Sequence, residues 1–116
     1  SKPLALTIKA DDTESYSGKK PELGSAVIRS HKKISREHLV MFLHLHQHRS
    51  FRLKGYIKLT DGQTVAVQSC FGETELLPLA DYAGPTEIIA IGPGINAVEF
   101  AHSFRQLADA GTPVNR

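Results

Sequence analysis

Residues 52–71, RLKGYIKLTDGQTVAVQSCF, carry the strongest local structural signal in the chain. Tyr56, Ile57 and Leu59 precede Asp61-Gly62, and Val65, Val67 and Phe71 follow it. An Asp-Gly pair between two runs of β-forming residues marks a hairpin, because Gly accepts the positive φ of the turn without steric cost. Ile57 and Leu59 alternate with Tyr56 and Lys58, and Val65, Val67 and Ser69 alternate with Ala66, Gln68 and Cys70. Each strand therefore has a greasier and a wetter face. A sheet built on this hairpin must be covered on one side, and helices are the expected cover.

Working outward, residues 86–91, TEIIAI, form a short apolar run that reads as a central strand ended by Gly92-Pro93-Gly94. Between it and the hairpin, residues 72–85 read as a leucine-rich loop punctuated by Pro78, Gly84 and Pro85. Asn96 with Glu99 three residues on is a helix-start signal. Ala97, Phe100, Ala101, Phe104, Leu107 and Ala108 then recur at helical spacing, and Gly111 with Pro113 supplies the stop. Upstream of the hairpin, Ser35 is an N-cap for a helix over residues 36–48. At about 100° per residue, Leu39, Phe42, Leu43 and His46 share one side, with Glu37, His44 and His48 opposite. Met41 and Leu45 fall nearer the outer side.

Residues 25–30, SAVIRS, read as another strand. At the start, Leu4, Leu6, Ile8 and Ala10 alternate with Ala5, Thr7 and Lys9 as in a half-buried strand. A polar stretch over 11–23 reads as a mobile loop. The expected architecture is an α+β two-layer sandwich, with a largely antiparallel sheet of four to five strands and two helices packed on one face.

With 116 residues, 41% hydrophobic and 22% charged, the chain has room for a single domain over 1–116 and its core, and for no second one. A formal charge of +2, spread along the chain, is too mild to mark a nucleic-acid binder. One cysteine, Cys70, cannot make an internal disulfide, and no apolar run approaches the ~20 residues of a membrane helix. A reducing, cytoplasmic setting is the expectation.

From Ser25 onward the order of signals resembles the C-terminal domain of CobW-type proteins, which follows the GTPase domain in that family of metal chaperones. Arg52-Leu53-Lys54-Gly55 opening the hairpin, Gln68 in its second strand and Ile91-Gly92 closing the later strand carry the resemblance. Asn96 stands where the family usually has Asp, followed by Phe100, Phe104 and Leu107. Residues 25–110 are then the domain proper, preceded by a strand and polar loop over 1–24 that do not align. The Trp often found after the hairpin is absent, leaving Leu79 or Tyr82 to fill its space. No GxxxxGK[ST] loop and no CxCC motif is present, so the resemblance brings no GTP hydrolysis into these 116 residues. Whether the domain is excised or free-standing is left open.

The resemblance implies a non-catalytic accessory or protein-interaction domain linked to metal homeostasis or cobalamin and metal-cofactor assembly. Its partner would be a CobW-type GTPase domain or a metalloprotein client, met through the charged strand entrance at Arg52 and Lys54; the alternative is that these two side chains cap helix carbonyls or pair with Glu99 or Asp109. A second expectation comes from His44 and His48, one helical turn apart, which would hold Zn²⁺, Co²⁺ or Ni²⁺ with Glu37 as an oxygen ligand; the alternative is a solvated surface pair. A third is an anion or nucleic-acid contact through Arg29, Lys32 and Lys33 near a helix N-terminus, against a merely solvated connection. A homodimer through an exposed sheet edge is also open. No catalytic set is evident: Cys70 has no activating base in sequence, and Glu73 and Glu75 give no sign of divergent pKa values.

Overall fold

A computed structural model describes residues 23–110. The strand expected over 4–10, the polar stretch up to residue 22 and the Gly111–Pro113 stop lie outside the described residues. Along the chain come β1 (Gly24–Ser30), α1 (Arg36–His46), a 3-10 turn (Gln47–Arg49), β2 (Arg52–Lys58), β3 (Thr64–Cys70), β4 (Glu73–Pro78), β5 (Thr86–Gly92) and α2 (Ala97–Ala110). The five strands form one sheet in the order β1-β5-β2-β3-β4, and each neighbouring pair is antiparallel. The expected α+β sandwich is what forms, with β5 inside the sheet between β1 and β2.

The hairpin signal holds with one refinement. Leu59 N–H donates to Gln63 O and Gly62 N–H to Leu59 O, which closes a three-residue loop rather than a two-residue one. Gly62 has φ +91°, while Asp61 is not in the left-handed region; its Oδ1 instead accepts from Gln63 N–H at 2.9 Å. Gly55 is needed for close approach: a Cβ there would strike the Glu87 carbonyl and Ile88 Cα of β5.

The expected loop over 72–85 is corrected at its start, because β4 occupies Glu73–Pro78 and pairs with β3 from Cys70↔Glu73 to Val65↔Pro78. The connection is the two-residue turn Phe71-Gly72, with φ of +51° and +89°. A left-handed conformation costs a bulky L-residue about 1–2 kcal/mol, which is why Phe-Gly does not read as a turn in sequence. Pro78 is tolerated because β4 is an edge strand.

Both helices cover one face of the sheet. Ser35 Oγ accepts from His38 N–H at 3.1 Å as the N-cap of α1, and Asn96 Oδ1 accepts from Glu99 N–H at 2.9 Å at the start of α2. Alternate residues of the inner strands meet them: Leu53 and Ile57, Val65 and Val67, Ile88 and Ala90 are all buried. Phe42, Phe100 and Phe104 pack edge to face or tilted, with ring centroids 5.0 and 5.5 Å from Phe42. The helix expected to reach His48 stops at His46, because the chain must turn into β2. Ser50 Oγ donates to His46 O at 3.1 Å and takes up a carbonyl freed at that end.

Candidate interaction face

Strand alternation that buries one side of the sheet leaves the other side open. The pairing register sets its residues in rows across the strands. One row runs Val27, Ile89, Lys54, Gln68, Glu75; the next runs Arg29, Glu87, Tyr56, Ala66, Leu77. One wet face is ordinary for an antiparallel sheet. The apolar content here is not: Val27 is 64% exposed, Leu77 58% and Ile89 51%, and Tyr56 and Ile91 are exposed as well. Short Ala66 lies between longer neighbours, and together with Lys54, Tyr56, Gln68, Leu77 and Ile89 it lines a concavity of about 410 Å³.

One end of this face is roofed. Tyr82, in the loop after β4, packs at a tilt against Tyr56 with centroids 4.9 Å apart and donates its hydroxyl hydrogen to Pro85 O at 2.8 Å. Lys58 Nζ reaches Tyr82 O at 3.2 Å. Desolvation, with the Glu87 carboxylate next in weight, pushes the Tyr82 phenol above its ordinary pKa. Arg29 Nε donates to Glu87 Oε2 at 2.7 Å beside it. The other end, at Arg52, Cys70 and Ile91, carries no such roof among the described residues.

Arg52 and Lys54 both lie on this open face, two residues apart on the central strand β2. Glu99 is taken by Arg49 at 3.3 Å and Asp109 by Lys32 at 2.8 Å. Among the described residues neither Arg52 nor Lys54 has an acceptor, whereas Arg29, Lys32, Arg36, Arg49 and Lys58 are all engaged. The basic run after β1 is not gathered into one patch: Arg29 belongs to the open sheet face, Lys32 reaches α2, and Lys33 is exposed.

His44, His48 and Glu37 are all exposed. The 3-10 turn that starts at Gln47 winds more tightly than an α-helix, so His48 is rotated past the position one α-helical turn from His44. Among the described residues no group of three or more His, Cys, Asp or Glu side chains is placed to hold a metal ion. His46 belongs to the core. It lies between Phe42 and Phe100, both with centroids at 4.8 Å, and its Nε2 is 2.7 Å from Ser103 Oγ. Ser103 Oγ is also within 3.1 Å of Phe100 O, a carbonyl to which its hydroxyl can donate. Burial lowers the His46 pKa, Arg49 and His48 add to this, and Glu99 opposes it.

Three features of the structure escaped the sequence. Glu75 and Leu77 were hidden with β4. The Tyr82 roof depends on Asp81 at φ +62°, for which Asp followed by an aromatic gives only a weak signal. Phe51 and Phe71, whose rings meet at 5.4 Å, come together only through the ladder.

Among the described residues no helix is long and apolar enough to cross a membrane. No curated protein sequence matches the chain significantly. Among solved structures the chain is similar to the Zn(II)-bound YjiA GTPase from E. coli, at 17% identity and TM-score 0.59, over 73% of this chain and 29% of that one. A Zn(II)-bound triple mutant of YjiA gives 15% identity and TM-score 0.60 over the same shares. At these identities the likeness is one of fold, and the chain spans less than a third of those GTPases. The model of the cobalamin synthesis protein CobW C-terminal domain matches residues 23–108, nearly the whole of the folded unit, and the chain belongs to that family.

Proposed function

We propose that this domain is a non-catalytic docking module of a CobW-type system serving metal homeostasis, and that it meets a CobW-type GTPase domain or a metalloprotein client through its open sheet face. The observation that carries this is the pairing of exposed apolar residues with two unengaged cations, Arg52 and Lys54, on the central strand of that face. Family membership and the fold shared with YjiA, of which this chain spans 29%, support the choice of system.

The energetics favour a regulated contact over a permanent one. Covering a half-exposed aliphatic side chain is worth roughly 1 kcal/mol. The few on this face together only match the lower end of the ~4–15 kcal/mol cost of association. Orientation and added affinity must come from charge, which is where Arg52 and Lys54 act.

The test is calorimetric titration of the chain with a separately expressed CobW-type GTPase domain, metal-free and then with Zn²⁺. Micromolar binding that falls at least tenfold in Arg52→Glu/Lys54→Glu is expected. Binding that the double variant keeps would overturn the assignment of this face. A Zn²⁺ isotherm lost in His44→Ala/His48→Ala would instead point to a metal-holding domain.

A further inference from the structure

The pairing register sorts the open face around β3 into three rows, each spanning β2, β3 and β4. Arg52, Cys70 and Glu73 form the first, Lys54, Gln68 and Glu75 the second, and Tyr56, Ala66 and Leu77 the third. Two cations thus run down β2 and two carboxylates down β4, with β3 between them. All four charged side chains are exposed, and among the described residues none has a hydrogen-bonding or ion-pair partner. A uniformly acidic or uniformly basic ligand would be attracted by one stripe and repelled by the other. The face calls for a surface carrying both signs at the same spacing.

A second copy of the chain is such a surface. Turned by half a revolution about a line along β3 and laid face to face on the first, it keeps every row in step and exchanges the row's two ends. Arg52 then meets Glu73 of the second copy, Lys54 meets Glu75, and Tyr56 meets Leu77, each contact occurring twice. Tyr56 is 43% exposed and Leu77 58%, so both have apolar surface to cover. Gln68 lies on the axis, where two amides can exchange hydrogen bonds, and short Ala66 lies in the concavity that admits the larger side chains. Other axes do worse. Along β2 an axis sets each cation on its own copy, along β4 each glutamate, and across the strands it lays the cation stripe on itself; like charges so placed repel.

We propose that two copies of this chain pair face to face through the open sheet, about a two-fold axis along β3. The pairing stands on the three rows; its consequence rests on the docking role of this face, since a GTPase domain or client could engage Arg52 and Lys54 only after the two copies part. Three rows of three side chains fall short of the roughly 20–30 residues a side of a stable interface. The pair is therefore weak and salt-sensitive, with a Kd on the order of 10–100 µM.

The experiment is sedimentation equilibrium of the full chain between about 10 µM and 1 mM, at low salt and in about 0.5 M NaCl. The native chain should dimerise, at least fivefold more weakly in high salt. Arg52→Glu/Lys54→Glu and Glu73→Lys/Glu75→Lys should each weaken the dimer at least tenfold. An equimolar mixture of the two variants should recover it as a heterodimer, which variants that had merely lost their fold could not do. A short bismaleimide, matched to the ~10 Å between packed sheets, should join Cys70 to Cys70 across the axis. A chain monomeric throughout, a dimer that both variants keep, no recovery on mixing, or a dimer whose Cys70 is not linked would each overturn the pairing. Titration with the GTPase domain separates this inference from the docking reading. If the chain stays monomeric yet binds that domain through Arg52 and Lys54, the pairing fails and the docking face stands. If it pairs as described and the Cys70-linked dimer still binds the domain, the pairing stands and the docking assignment of the face fails.

Discussion

His46 shows what one position can hide in a sequence. Set among His44, His48 and His38 it looks like part of a metal cluster, yet helical spacing already puts it with Leu39, Phe42 and Leu43 on the buried side. Its ring is hydrogen-bonded with Ser103 and fills space between two phenylalanines. With its pKa lowered in the folded state, the unfolded chain binds the extra proton first. Stability is therefore complete above the unfolded value of ~6.5 and falls as pH drops through it. Thermal melts at pH 7.5 and pH 5 should show a fall in the native chain that is smaller in His46→Gln; an equal fall would mean that His46 is not a source of the acid sensitivity. Legibility had its limit at Ser103, since a partner 57 residues away leaves no local signal.

At the scale of elements, the hairpin, both caps and the interior strand were legible because each rests on local chemistry: Gly62 in its loop, Ser35 and Asn96 at their helices, TEIIAI between glycines. Strand β4 was not, because Leu76-Leu77-Pro78 obscures the period of two and Phe71-Gly72 is an unusual turn. Two outcomes test this reading of the elements. Ser35→Ala should cost ~1 kcal/mol in denaturant unfolding through the lost cap, and no measurable loss would mean that the α1 terminus is satisfied otherwise. Gly55→Val should cost ~3 kcal/mol, since β5 cannot keep its distance from β2; a native-like midpoint would show that the sheet yields there.

For the molecule as a whole, two helices on one sheet face make the asymmetry that matters. The covered face builds the core, where Phe104→Ala should cost ~3–5 kcal/mol, and the uncovered face is the docking surface we propose. Arg52 and Lys54 were picked out by resemblance alone; the structure adds that they are neighbours on the central strand, beside a concavity, with no acid within the described residues to satisfy them. Helix α1 has its own exposed stripe at Val40, Met41 and Leu45, the natural rival for a partner. The most direct measurement is therefore amide chemical-shift mapping of the ¹⁵N-labelled chain as a CobW-type GTPase domain is added. Shifts concentrated at Arg52, Lys54, Tyr56, Gln68 and Ile89 are predicted. Shifts confined to Val40, Met41, Leu45 and Val98 on the helical side would contradict the assignment of the open sheet face as the docking surface.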